Sequence, residues 1–442
     1  MNYTLQKLAR LIFCLMMLTA ALLAAIVAIK PALAASHHQE NSTQTLLVHF
    51  DVGTPTATRD ALIAEMGGEL VMWIHQLHVA EIRLPVAAEA MMASQPAALR
   101  AAMAQGMVTH IEADMSVSAT YSPNDPDFGD ATMRYGLDQV QALDAWDIVT
   151  GSQQIVIAVI DSGINAEHPE FVGRLVPGYN FIDEDNPNDL DDESGHGTHV
   201  AGILAAALDN KQGIAGVCPN CRLMPIKVLN ENNIGSWSQL AQGIIYAVDN
   251  GARILNLSLG TPVSSDTLIY AIEYAVERGV VVVASAGNNA SDAPFYPAAL
   301  DGVIGVGATT QKGVRWSKSN FGDFIDFVAP GQVIYSTYND LDNAYYGYTY
   351  MNGTSMATPF VSGTAGLLLS IAPELSADEV IEAMILGAED LGPTGRDADF
   401  GFGRVNAMGA LKAPVAGLVD AVGEVGEPHE RVVMFFPVVP NQ

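Results

Sequence analysis

Five apolar runs of strand length mark the chain from Gln154 onward: residues 155–160, 223–229, 254–259, 280–286 and 303–308. Apart from Lys227, Asn256, Ser258 and Ser285 they carry no polar side chain, which is how strands buried on both faces of a parallel sheet read. Between and after them, residues 198–208, 237–250, 265–278 and 355–371 place apolar side chains at helical spacing. Strands and helices in alternation predict an α/β unit, with a mostly parallel sheet flanked by helices. A smaller unit comes first. There residues 45–50, 77–84 and 108–111 read as strands and residues 57–70 and 97–104 as helices. That β-α-β-α-β order predicts a small α+β domain.

The first residues follow another pattern. Lys7 and Arg10 precede an apolar run over residues 11–29, and Ala32-Leu33-Ala34 offers small residues for cleavage before Ala35. This reads as an export signal over residues 1–34. The alternative is an uncleaved anchor, because the run is long enough to cross a bilayer. The turn-rich stretch Tyr121-Ser122-Pro123-Asn124-Asp125-Pro126 separates the two folded units. The domains are therefore expected at 35–120 and 121–412. The tail over 413–442 carries Val432-Val433-Met434-Phe435-Phe436-Pro437 without clear periodicity.

Composition narrows the partners. With 49 acids against 20 bases the net charge is −29. This argues against nucleic acid and anionic membrane surfaces, and it suits a secreted, soluble protein. Cys14 would leave with the signal. Cys218 and Cys221 stand in Cys-Pro-Asn-Cys. In an exported protein a local disulfide is the favoured reading, with a redox motif or half a zinc site as alternatives.

Three boxes carry the chemistry: Val159-Ile160-Asp161-Ser162-Gly163, Gly195-His196-Gly197-Thr198-His199, and Gly353-Thr354-Ser355-Met356-Ala357-Thr358-Pro359. They supply Asp, His and Ser among small residues. A serine hydroxyl becomes a useful nucleophile only when an imidazole takes its proton and a carboxylate orients that imidazole. Asp161 follows its strand, while His196 and Ser355 each open a helix, so all three can reach one rim of the sheet. Ser355 at a helix N-terminus also has an unpaired backbone N–H to offer an anion. The order Asp…His…Ser differs from that of α/β-hydrolases and of chymotrypsin-type enzymes. Taken singly, each residue has an alternative: a turn Asp, a two-His zinc site for His196 with His199, an N-cap Ser.

In order and together, the boxes resemble those of subtilisin-type serine proteases, the subtilase family, in its thermitase-like branch, over residues 121–412. The resemblance implies an endopeptidase acting on polypeptides through an acyl-enzyme, with Asp161, His196 and Ser355 as its triad and Asn288 as its oxyanion donor. The plain alternative for Asn288 is a turn residue after Gly287. His199 is then structural. The resemblance also makes 35–120 a self-inhibiting propeptide, with a stable accessory domain as the alternative, and the mature enzyme a monomer free of the membrane.

Ser258, Leu259 and Gly260 would offer a strand edge to the substrate backbone. Ala286 and Gly287 would form the opposite wall of the primary pocket, and Trp237 would flank a more distant subsite. Phe295 stands where the family often has a small or polar residue, so it would narrow the pocket floor. Calcium is the implied ion. Residues 208–214 resemble the family's tight calcium loop, with the Asn210 side chain and the Leu208, Gln212 and Ile214 carbonyls as ligands. Asp125 and Glu170 complete the set, Glu170 standing in place of the usual Asp. Asp183 and Asp185, with the acids of 189–193, form a second candidate site or a solvated acidic loop. Phe360 replaces a usual His and is expected to affect packing.

Overall fold

A computed structural model describes residues 43–85, 97–113, 123–341 and 347–419. The export segment, the boundary near Thr120 and Tyr121, and the C-terminal run of 432–437 lie outside the described residues. The chain divides into two units, Met1–Ser118 and Ala119–Gln442, each with its own sheet and apolar core.

In the first unit, strands β1 (Thr43–Phe50), β2 (Glu69–Ile74), β3 (Val79–Pro85) and β4 (Val108–Ala113) form one sheet in the order β2-β3-β1-β4. Its pairings are antiparallel. Helices α1 (Thr56–Glu65) and α2 (Ala97–Ala104) complete the unit. Leu46, Val48 and Phe50 of β1 alternate inward and meet Leu62, Ile63 and Leu99. The helix expected over 57–70 is a correction, since it stops at Glu65. Gly67 lies at φ +69°, and Gly68 N–H donates back to Ile63 O, a glycine C-cap that satisfies the last carbonyls. The edge strand β2 follows directly. Its Leu70, Val71 and Met72 stay exposed, so no inward alternation announces it.

The second unit is built on a seven-stranded parallel sheet. Its strands are β5 (Val156–Asp161), β6 (Tyr179–Asn180), β7 (Arg222–Lys227), β8 (Ile254–Leu257), β9 (Val281–Ser285), β10 (Val303–Thr309) and β11 (Phe327–Pro330), ordered β11-β10-β9-β8-β5-β7-β6. Along β5, Ile157 and Val159 enter one apolar cluster while Ala158 and Ile160 enter another. Burial on both faces is why the run shows no alternation. Helices α5 (His196–Ala205) and α8 (Thr354–Ile371) pack on the first face, and α6 (Trp237–Asp249) and α7 (Asp266–Val276) on the second. Smaller helices α3 (Ala131–Gln139), α4 (Ala142–Ala145), α9 (Ala377–Gly387) and α10 (Ala407–Leu411) support the first cluster. A separate antiparallel pair, β12 (Ile334–Thr337) with β13 (Tyr348–Met351), lies beside α5.

Helices α5 and α8 are apolar nearly all round, as befits helices buried on every side. Phe360 packs against Gly136, where a Cβ would sit 2.4 Å from the ring. Cys218 and Cys221 form a buried disulfide, which settles the three readings of that pair. The bridge packs against Gly151 and Gly366, where added side chains would strike its sulfurs.

Candidate active site

Strand β5 ends on Asp161, helix α5 begins on His196, and helix α8 carries Ser355 in its first turn. The three elements end at one rim, the carboxyl edge of the sheet. His196 Nδ1 lies 2.7 Å from Asp161 Oδ1, which also accepts Ser162 N–H at 2.8 Å. Asp161 is fully buried and its Oδ2 has no hydrogen-bond partner, so the carboxylate has one strong outlet, the imidazole. Burial pulls the His196 pKa down. The charge and hydrogen bond of Asp161 and the charge of Asp192 outweigh it, and the net shift is upward. That arrangement fixes the ring with Nδ1 toward Asp161 and Nε2 available as a base.

His196 and Ser355 line one cleft of about 960 Å³. The Ser355 hydroxyl donates to Ser258 O at 3.1 Å. The Ser355 carbonyl is itself held. Pro359, four residues on, has no N–H to give it, and Ser258 Oγ donates there at 2.8 Å. Asn256 Nδ2 donates to Ser258 Oγ, and Ser362 Oγ donates to Asn256 Oδ1, so a buried polar chain braces the candidate nucleophile.

Asn288 sits across the cleft. Its Oδ1 accepts Thr354 N–H at 2.9 Å and Thr354 Oγ1–H at 3.0 Å. With the oxygen pinned, the Nδ2 end is the one left to donate. Ser258, Leu259, Gly260, Gly287, Trp237 and Phe295 all line the same cleft. Ala286 does not, which corrects the expectation. Its side chain turns into the core beside Ile325 and Val328, while Ser285 and Gly287 on either side face the cleft. Phe295 lies between the two walls. A Cβ on Gly260 would come within 2.5 Å of its ring, and one on Gly287 within 3.1 Å.

The second histidine of the box is structural in this arrangement. His199 is buried, and its Nε2 reaches Ile334 O and Thr349 O. Burial, with the nearby His196 charge, pushes its pKa down to about 3, so the ring is neutral.

Asp192 is the residue that sequence reading missed. Counted there among acids of a possible metal loop, it is buried and turned toward α5. Its carboxylate accepts Ser162 Oγ–H, the N–H groups of Ser194, Gly195 and Thr198, and Thr198 Oγ1–H. It thereby satisfies orphan donors at the N-terminus of the helix that carries His196. The signal available was an acid just ahead of a helix start. Asp183 and Asp185 lie in the loop that precedes α5. Asp183 accepts Asp185 N–H and Asn186 Nδ2–H within its own loop. Among the described residues, no three His, Cys, Asp or Glu side chains gather as a ready metal cluster.

The 208–214 loop is different. Asp125 and Glu170 are buried, and the donors that reach them are neutral. Asp125 accepts Asp209 N–H and Asn210 N–H. Glu170 accepts Ile214 N–H and Tyr348 OH at Oε1, and Asn210 Nδ2–H at Oε2. Burial raises both carboxyl pKa values, that of Glu170 to about 7. Neither buried acid makes a salt bridge among the described residues, and the partly buried Arg174 guanidinium feels Glu170 only through its charge, so the pair fits a cation better than an empty loop. One detail departs from expectation. Asn210 Oδ1 accepts Gln212 N–H instead of facing the carboxylates, so exchanging the two ends of the amide is needed to present oxygen there. Leu208 and Gln212 belong to the same loop, outside α5.

The fold and the cleft together define an α/β serine hydrolase. The model of the subtilase family matches residues 152–403. Thermitase of Thermoactinomyces vulgaris is 41% identical over 292 residues, covering 66% of this chain and 100% of that protein. The thermophilic serine proteinase of Bacillus sp. (strain AK1) is 41% identical over 306 residues, 69% of this chain and 73% of that one. The crystal structure of a lanthipeptide protease superposes with a TM-score of 0.59 at 27% identity, covering 67% of this chain and 99% of the other. The chain belongs to the subtilase family and is a serine endopeptidase.

Proposed function

We propose that the protein is a secreted, calcium-stabilised endopeptidase, made as a proenzyme, that cuts polypeptides through Asp161, His196 and Ser355. The observation that carries this reading is the meeting of Asp161-bound His196, Ser355 and Asn288 in one cleft. Ser355 Oγ attacks the scissile carbonyl carbon while His196 Nε2 takes its proton. The oxyanion accepts the Ser355 backbone N–H and Asn288 Nδ2–H. The C–N bond breaks, His196 protonates the leaving amine, and an acyl-enzyme remains. Water then attacks the ester, giving its proton to His196, which returns it to Ser355 as the acid departs. Removing the equivalent side-chain donor in subtilisin costs about 2.7–4 kcal/mol, and a loss of that order is expected for Asn288→Ala.

Phe295 between Gly260 and Gly287 supports a preference for small side chains at the residue before the cut. A library scan peaking at Phe or Tyr would sink that preference, and Phe295→Gly is expected to move the peak toward them. Calcium would be held by Asp125, Glu170, the Asn210 side chain and carbonyls of the 208–214 loop. Bound there, it would neutralise buried charge and tie residues 125, 170 and 208–214 together. The apolar N-terminal run and Ala32-Leu33-Ala34 support export, and no helix among the described residues is long and apolar enough to cross a membrane.

The test is residues 35–442 with calcium beside Ser355→Ala, followed by intact mass and fluorophosphonate labelling. Wild type alone is expected to shed the first unit, to begin near Tyr121 and to take the label at Ser355. Folded wild type that neither processes nor labels would overturn the reading.

A further inference from the structure

We propose that Asn320 is a positioning residue for oxyanion stabilisation: its amide folds the 286–291 turn so that Asn288 reaches the cleft. The inference rests on the endopeptidase reading of Asn288 and adds a residue outside the three catalytic boxes. Asn320 is 2% exposed and follows Ser319 in the segment after β10. Its side chain contacts the turn on both sides of Asn288. Nδ2 donates to Ala286 O at 2.8 Å, and Oδ1 accepts Asn289 N–H at 2.9 Å and Ser291 N–H at 3.1 Å. Its backbone N–H donates to Gly287 O at 2.9 Å, and Ala290 N–H donates to Lys318 O. The turn therefore closes around residues 318–320 instead of around its own backbone.

The geometry asks for an amide. One end must donate and the other accept, about one planar group apart, and the groups it meets belong to a backbone with little else to satisfy it. The turn is also conformationally unusual. Gly287 lies at φ +97°, and a Cβ there would come within 2.6 Å of Asn320 Nδ2. Ala290 is a non-glycine residue at φ +52°. A backbone held this far from ordinary regions persists only where surrounding contacts over-determine it. Thr354 fixes which end of the Asn288 amide faces the cleft, while Asn320 fixes where its backbone stands. Oxyanion donors act through placement, so a shift of a few tenths of an ångström reaches the transition state more than the bound substrate.

The test is a double-mutant cycle on the self-processed enzyme, with active sites counted by fluorophosphonate. Asn320→Asp keeps the shape and the accepting end but sets an oxygen against Ala286 O. It is expected to lower kcat by roughly 10- to 100-fold with KM within about threefold, and to lose nearly all of that effect in an Asn288→Ala background. Asn320→Ser, a milder truncation that leaves room for water, carries the same comparison if Asn320→Asp fails to accumulate. An equal loss in both backgrounds, or a lower Tm with kcat per active site unchanged, overturns the proposal. If Asn288→Ala itself leaves kcat intact, it is the reading of Asn288 that fails.

Discussion

The chain buries carboxylates in two places and surrounds them differently. At the cleft, Asp161 is fully buried beside an imidazole at 2.7 Å, and its negative charge offsets the positive charge that His196 gains on taking a proton. At the 208–214 loop, Asp125 and Glu170 are also buried but accept their hydrogen bonds from backbone N–H groups, an amide and a phenol, with the Arg174 charge making no salt bridge to them. The first arrangement is complete within the protein. The second carries negative charge that its donors soften without cancelling, and burial accordingly lifts both pKa values. A buried acid becomes catalytic or cation-binding according to the partner supplied, and acid content alone distinguishes neither.

The sharpest break of this comparison removes the complete pair. Asp161→Asn keeps the shape but loses the charge that orients His196 and stabilises its protonated form. The expected fall in kcat is on the order of 10⁴-fold, the size seen when the orienting Asp of a Ser-His-Asp triad becomes Asn. The fluorophosphonate labelling rate should fall alongside it. Labelling at the wild-type rate would mean that His196 needs no carboxylate to act as base.

The incomplete pair predicts a change of sign in stability. Glu170→Gln removes the buried charge, and its new donor finds an acceptor if the Asn210 amide reverses and the exposed Gln212 N–H turns to water. In a Ser355→Ala background, which prevents self-digestion, thermal unfolding is followed with chelator and with excess calcium. Glu170→Gln should match or exceed its parent under chelator and fall below it in calcium, by on the order of 5 °C at saturating ion. Equal destabilisation in both conditions would show that Glu170 serves packing alone.

What was legible in the sequence follows the same division. Strand β5 could be read because both faces are buried and every position before Asp161 is apolar. Edge strand β2 could not, because its Leu70, Val71 and Met72 face outward and continue the helical spacing of α1 across Gly67 and Gly68. Asp161, His196 and Ser355 stand in local boxes whose small neighbours mark tight backbone approach. Gly197 is one such neighbour, where a Cβ would lie 2.2 Å from Gly163 O. Asn256 and Asn320 act through contacts between distant segments, and nothing local distinguishes them from ordinary strand or turn residues, whereas Asp192 offered the weak local signal of an acid ahead of a helix start. Ala286 was misplaced by one position, the difference between the core side and the cleft side where β9 leads into its turn.

Asp192 gives the smallest effect and the finest test of the comparison, because it is a buried carboxylate near the imidazole without touching it. The titratable groups around His196 are Asp161 from β5, Asp192 from the loop before α5, and the neutral His199 one turn along its own helix; Lys227 at the end of β7 is bound to Glu193. Only the neutral imidazole acts as a base, so the acid limb of kcat/KM follows the His196 pKa. Negative charge raises that pKa and moves the limb to higher pH. Asp192→Asn withdraws one negative charge and should move the limb to lower pH, by less than the loss of Asp161 does. The plateau should fall too, by about 10-fold or less, because an amide leaves one of the donors around α5 facing another donor. A limb that stays in place while Tm drops would reduce Asp192 to a helix cap. A limb that moves upward would mean that the field at His196 is set by groups other than these two carboxylates.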